Sequence, residues 1–350
     1  MYNNNIVQQD LKLITQQDIE FTSLKNKSIL ITGATGMLAS YYMYVLLYLN
    51  THYDYNIKVY ALVRNKKKLQ KLITEELQNT IEIIEQSVTK PFKIKEKVDY
   101  IIHMASSANP KTITTDPVGI IEANVLGTLY ALEIAKRDNA RIIFTSTREV
   151  YGKMAEDVSC ITEDDMGVLD CLDLRSCYPE SKKQAENLII SYAYQYGIEY
   201  AITRIAHSYG PGMIIHDDGR IMSDLLCNVV EGNNIVLKSR GEAKRAFCYI
   251  VDAITALFKV TLDINRNLVY NVANETEEIS IKDLAYFLQD KYTHKGIKVM
   301  FDIQENKSQY VKFDRVRLST HKLENIGWEP IVSLSEGIDK TVKFFESIKR

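Results

Sequence analysis

Residues 28–40 read SILITGATGMLAS, and the order of residue types in this stretch decides the fold. Ile29, Leu30 and Ile31 form an apolar run that reads as a strand. Thr32-Gly33-Ala34-Thr35-Gly36 follows, and a helical stretch continues to about Leu49. Glycines between a strand and a helix permit a tight bend and let the backbone approach a pyrophosphate, which then rests on the helix N-terminus. The spacing is G-x-x-G-x-x-A, and Ala39 takes the place where a small residue lets helix and strand pack closely. Gly33, Thr35, Gly36, Met37 and Leu38 are therefore candidate contacts to a dinucleotide.

Outward from this turn the chain alternates. Residues 57–63, IKVYALV, read as a second strand, followed by Arg64-Asn65-Lys66-Lys67-Lys68. A dinucleotide-binding unit that takes NAD usually presents an acidic residue there to the adenosine ribose, whereas an arginine suits a 2′-phosphate. Arg64 with no adjacent Asp or Glu tilts the expectation from NAD towards NADP; the alternative is that the basic run is a solvated helix start. Further strands are expected at 81–84 and 99–104, the latter ending in His103-Met104-Ala105-Ser106, small residues suited to a wall beside a cofactor. A helix over 117–137 carries Asn124 at its middle, and a strand at 142–144 precedes a helix over 178–196 and a strand at 199–204. Strand and helix alternating at this spacing imply βαβ units and a doubly wound parallel sheet of the Rossmann type.

After His207 the texture changes to shorter helices and isolated strands at 235–237, 268–272 and 297–301. The organisation expected is a polar leader over 1–27 whose short helix packs on the core without chemistry of its own, a dinucleotide-binding domain over 28–206, and a smaller discontinuous α/β region over 207–350. That last region mainly binds substrate, with some segments returning to the first domain.

The chemistry is expected in residues 141–182, from RIIFTSTREVYG to CYPESKKQAENLI. Tyr178 and Lys182 lie one helical turn apart on one face. A free phenol, with a pKa of about 10, is a poor base near neutrality, and a neighbouring ammonium favours its phenolate. Thr147, at the end of the preceding strand, is placed to hold the substrate oxygen whose proton Tyr178 takes. In a chain with 22 tyrosines a Tyr-x-x-x-Lys match alone says little; its order and distance relative to the glycine turn give it weight. Arg204, Arg220, Arg245, Arg315 and Arg317 punctuate the C-terminal region, and guanidinium is the group best shaped to clamp phosphate.

Composition excludes several classes. The chain has 350 residues, 46% hydrophobic and 25% charged, with a formal net charge of −2, which gives no reason to expect nucleic acid or an anionic membrane as partner. Five cysteines without C-x-x-C spacing argue for a reducing compartment, and none, including Cys160, Cys171 and Cys177, stands in a metal-ligand pattern. The longest apolar stretch, residues 41–49, is too short to cross a bilayer, and the N-terminus lacks the basic and apolar parts of a signal peptide. A cytoplasmic protein is expected.

Taken together, TGATGMLA, HMAS, STREVYG, Tyr178-Pro179-Glu180-Ser181-Lys182, RIAHSYGPG, DDGRIMSDLL, KRAFCYIVDA and NIGWEP resemble the extended short-chain dehydrogenase/reductase family that modifies nucleotide sugars. Within it, UDP-glucuronate decarboxylases and sugar-nucleotide 4,6-dehydratases are most similar. The resemblance covers nearly all of the chain after residue 28. It implies a bound nicotinamide dinucleotide touched by Met104, Ala105, Ser106, Asn124, Tyr178 and Lys182 as well as by the glycine turn, and a nucleotide-diphosphate sugar as substrate. Tyr178 would remove the proton of the 4-hydroxyl, Thr147 would bond the same oxygen, and Glu149 would serve a second half-reaction, elimination or decarboxylation, at the acidified C5 of a 4-keto sugar. A carboxylate paired with Arg148 or Lys153 is the plainer account of Glu149.

Three positions depart from the family pattern. Arg148 stands where relatives carry aspartate or serine, ASSANPKTITTDP lacks the tyrosine of the decarboxylases, and His207 replaces an asparagine. Arg148, His207, Arg220, Arg245 and Arg315 are the candidate substrate contacts. Alternatives are an NADPH-dependent 4-keto sugar reductase, an epimerase, and a non-catalytic dinucleotide sensor. The resemblance also implies a homodimer through the helix that carries Tyr178, although Leu188, Ile189, Tyr192 and Tyr196 on it equally suit an intramolecular core.

Overall fold

The computed structural model describes residues 1–303 and 316–349. Its main sheet contains β1 (Ser28–Thr32), β2 (Lys58–Val63), β3 (Ile81–Glu85), β4 (Tyr100–His103), β5 (Arg141–Thr147), β6 (Tyr200–Ile205) and β7 (Leu268–Val272). Every pairing is parallel, in the order β7-β6-β5-β4-β1-β2-β3. The order reverses between β1 and β4, and ligands of open parallel sheets sit at such a switch point, beyond the carboxyl ends of the strands.

Alternation along the strands explains the two-sided core. Ile29 and Ile31 of β1 face one apolar cluster and Leu30 the other. The first face is covered by α1 (Asn5–Thr15), α2 (Met37–Tyr53) and α5 (Ile250–Leu262), the second by α3 (Pro117–Asp138) and α4 (Cys177–Tyr196). Tyr42 of α2 stacks on Phe258 of α5 with ring centroids 4.0 Å apart. The C-terminal helix α6 (Leu334–Lys349) closes against α1: Lys340 Nζ lies 3.0 Å from Asp10, a fully buried carboxylate that also accepts from the Tyr249 and Tyr41 hydroxyls at 2.8 and 3.1 Å. The leader helix is thus fixed by a satisfied buried charge.

Three expectations change. Strand 268–272 is not isolated: β7 extends the main sheet, pairing Leu268–Val272 with Ala201–Ile205 of β6. Its Tyr270 and Val272 are buried there. Helix α3 is long and apolar enough, by length and composition, to cross a membrane, unlike the 41–49 stretch; Ala131, Leu132 and Ala135 lie buried in the core of the sheet's second face. On α4, Ile189 is core, while Tyr192 donates to Glu133 at 2.5 Å and Tyr196 is covered by Lys136 at 3.8 Å. Smaller pairings tie the C-terminal region together: Lys244–Ala246 with Glu278–Ser280, Cys248–Tyr249 with Ser208–Tyr209, Val299–Phe301 with Ile235–Leu237, and Arg317–Leu318 with Cys160–Ile161.

Candidate active site

At the switch point the backbones of β1 and β4 come very close. Gly33 has φ +69°, and a Cβ there would meet the Ala105 Cα at 2.8 Å and the Met104 carbonyl at 3.1 Å. Only glycine meets both demands. Gly36 caps α2 with no side chain on the helix's first N–H groups, which leaves them for an anion.

The wall opposite is held by a buried relay that begins one residue before the turn. Thr32 Oγ1 accepts from the Met104 and Ala105 N–H groups at 3.2 Å each and lies 2.8 Å from His103 Nδ1. His103 Nε2 lies 3.1 Å from Thr128 Oγ1, which itself donates to the Asn124 carbonyl at 2.5 Å. Thr128 must therefore accept from Nε2–H, and Thr32 must donate to Nδ1. Burial pushes the His103 pKa down to about 3, so the ring is the neutral Nε2–H tautomer. Beside this relay two buried polar atoms, Ser106 Oγ and Asn124 Oδ1, have no partner in the protein, a state that buried polar groups rarely keep. A glycine cradle, an open helix end and two unsatisfied groups fit a dinucleotide.

Arg64 stands exposed at the end of β2. The acidic side chain absent from that segment arrives from the next strand: Glu85 of β3 accepts the Lys66 N–H at 3.0 Å.

β5 delivers the candidate reacting groups. Thr147 ends the strand and caps the 3-10 turn Arg148–Tyr151 by accepting the Glu149 N–H at 3.2 Å. Tyr178 and Lys182, in the first turns of α4, are both buried. Their electrostatics differ from the expectation. Lys182 Nζ donates to the Thr145 carbonyl at 2.7 Å and lies 4.4 Å from the centre of the Phe144 ring. Burial lowers the Lys182 pKa to about 7. The Tyr178 phenol is pushed above its ordinary value, first by burial and then by the Glu149 charge, and is drawn back by the Thr147 hydroxyl and by Arg220 and Arg175. In this geometry the cations that favour the phenolate are arginines, while the Lys182 ammonium, buried against Thr145, gives up its proton more readily than a free lysine.

Those arginines lie within electrostatic reach of the phenol. Arg220 is held by Asp218, a fully buried carboxylate that also accepts from Asn109 Nδ2 at 3.0 Å and Ser223 Oγ at 2.8 Å. Arg148 and His207 meet, with Nη1 and Nε2 3.4 Å apart, and Arg148 Nη2 donates to the Val316 carbonyl at 3.3 Å. His207 adopts φ +45°, a conformation uncommon outside glycine. Two of the three departures from the family pattern are therefore in contact. Glu149 pairs with Arg175.

Arg245, on the strand Lys244–Ala246, donates to the neighbouring Lys244 carbonyl at 2.7 Å. Arg204 is no phosphate clamp: it pairs with Glu186 at 2.7 Å and stacks on Tyr151. Arg317 faces Glu275 at 4.0 Å. Arg315 lies outside the described residues. Arg175, Asp218 and the Thr32–His103–Thr128 relay were not singled out in sequence; only Arg175, three residues before Tyr178, carried a positional hint.

A profile of the NAD-dependent epimerase/dehydratase family matches residues 29–273. Among characterised proteins, UDP-glucuronic acid decarboxylase 6 of Arabidopsis thaliana is 34% identical over 89% of this chain and 87% of its own length. UDP-glucuronic acid decarboxylase 1 of Xenopus tropicalis is 31% identical over 93% of this chain and 74% of its own. Solved structures share the fold. A UDP-glucose 4-epimerase of Thermotoga maritima has a TM-score of 0.77 at 20% identity, covering 92% of this chain and 100% of that one. A dTDP-glucose 4,6-dehydratase of Streptomyces venezuelae, with NAD bound, has a TM-score of 0.75 at 21% identity, covering 91% and 97%. With the glycine cradle, the Thr147–Tyr178–Lys182 group and these likenesses in agreement, the chain belongs to the NAD-dependent epimerase/dehydratase family.

Proposed function

We propose that the protein oxidises C4 of a nucleotide-diphosphate hexuronic acid and decarboxylates it, with UDP-glucuronate the first substrate to test. The observation that carries this is the convergence of Thr147, Glu149 and Tyr178, with Arg148 and Arg220 near them. Guanidinium groups near the phenol suit an acidic sugar on a diphosphate, and the decarboxylase relatives point the same way.

A nicotinamide dinucleotide bound at the cradle supplies the acceptor and later donor of hydride at C4. Tyr178 takes the proton of the 4-hydroxyl, and Thr147 bonds the same oxygen. Once C4 is a ketone, the C5–C6 bond breaks, carbon dioxide leaves, and the electron pair moves into an enolate over C5, C4 and O4. Tyr178 and Thr147 hold O4 through that step, the Glu149 carboxylate passes a proton from water to C5, and Tyr178 would return its proton to O4 as C4 regains hydride. Lys182 would bind the cofactor ribose, and Asn124 and Ser106 would satisfy their free atoms on the same group.

A second reading, an NADPH-dependent reductase of 4-keto sugar nucleotides, is favoured by Arg64 alone; Glu85 beside it suits a ribose hydroxyl and supports NAD. We also read the protein as a cytoplasmic homodimer through the exposed Val118, Ile121, Ile190 and Tyr194 on α3 and α4, which light scattering of the purified protein tests.

The reaction is tested by incubating purified protein with UDP-glucuronate, dTDP-glucose, CDP-glucose and GDP-mannose and following masses. Loss of carbon dioxide from the first is expected. Loss of neither carbon dioxide nor water from any of them overturns the assignment, and turnover of added NADPH without such loss favours the reductase.

A further inference from the structure

Glu149, after β5, and Tyr178, at the start of α4, are bridged by a residue outside both. Arg175 sits in the 3-10 turn Leu174–Ser176 that runs directly into α4, and Asp173 caps this turn by accepting the Arg175 N–H at 2.9 Å. Its Nη2 reaches both carboxylate oxygens of Glu149 at 3.3 Å. One nitrogen shared between two oxygens at that length is a loose clasp, not the parallel fork of a strong pair. Both side chains keep about a third of their surface exposed, so the pair adds little to folding stability. What the clasp does fix is direction, since it ties a carboxylate on one segment to the helix start that carries the phenol. It also places a positive charge between two groups whose negative forms repel: Glu149 opposes ionisation of Tyr178, and Arg175 favours it.

We propose that Arg175 is a positioning residue that turns the Glu149 carboxylate towards sugar C5 and offsets its charge beside Tyr178. This rests on the decarboxylation described above, in which the electron pair of the broken C5–C6 bond is finally captured by a proton at C5. Arg175 determines the face of the enolate to which Glu149 delivers that proton.

The test is a double-mutant cycle of Arg175→Gln and Glu149→Gln with UDP-glucuronate in deuterated water, reading kcat, KM and the position of deuterium at C5 of the pentose product. Arg175→Gln is expected to lower kcat by about 10²-fold, the scale of a misplaced reacting group, with KM little changed and deuterium spread over both C5 positions. Arg175→Lys should recover most of the rate, and in the Glu149→Gln background the Arg175 change should have almost no further effect. Equal losses in both backgrounds, or a raised KM with kcat and C5 stereochemistry intact, overturn the proposal. A crystal structure of Arg175→Gln decides independently of turnover: a Glu149 carboxylate swung away from the crevice supports the role, and an unmoved one refutes it. Failure of the wild-type protein to release carbon dioxide would instead count against the reaction.

Discussion

At the scale of single residues, the site depends on how deeply each group is buried. Tyr178 and Lys182 were legible from their i, i+4 spacing, which gives the shared helix face but not the depth. Depth reverses the expected electrostatics: Lys182 turns inward to Thr145, and arginines from elsewhere act on the phenol. A pH signature follows. The folded-state Lys182 pKa of about 7 lies below the ordinary 10.5, so between those values the unfolded chain holds a proton that the folded chain lacks. Stability of the cofactor-free protein therefore gains a contribution that rises with pH across that window. Replacing Lys182 with Met should remove it, seen as a flatter dependence of Tm on pH from about 7 to 10 than in the wild type; parallel profiles would show that the ammonium is not buried. Tyr178→Phe should leave Tm essentially unchanged and lower kcat by about 10²–10⁴-fold, the usual share of a general base. A variant with wild-type turnover would remove Tyr178 from the chemistry.

At the scale of elements, the strand–turn–helix of residues 28–53 was readable because its signals are local: an apolar run, glycines, then a helical stretch. The structure adds why Gly33 is required, since its φ is positive and its missing Cβ is the space that Ala105 occupies. Gly33→Ala should accordingly abolish retention of the dinucleotide and lower Tm, both measurable on the purified protein by cofactor extraction and calorimetry. Unaltered cofactor content would mean that the cradle does not hold it. The strand at 268–272 was recognisable as a strand but not as part of this sheet. Pairing with β6 joins segments more than sixty residues apart, and nothing local in LVYNV specifies that partner. The same holds for Arg175 and Glu149, 26 residues apart, brought together by two short 3-10 turns that no periodicity announces.

At the scale of the molecule, the parallel sheet gathers the β1 turn, the β4 wall and the β5 hydroxyls at one edge; the Ser208–Tyr209 pairing follows His207, and Asp218 ties Arg220 to Asn109. Departures from the family pattern that look scattered in sequence become one feature in space, since Arg148 and His207 touch. Under the proposed function, that contact would set the site for a sugar that differs from a neutral hexose. The central claim is that C4 gives up its hydrogen and receives the same one back while carbon dioxide departs. It is tested most directly with UDP-glucuronate carrying deuterium at C4 in ordinary water, the product being analysed by mass and NMR. The account predicts a UDP-pentose that has lost the carboxyl group and retains deuterium at C4. A product without deuterium at C4, or recovery of the acid unchanged, would contradict it.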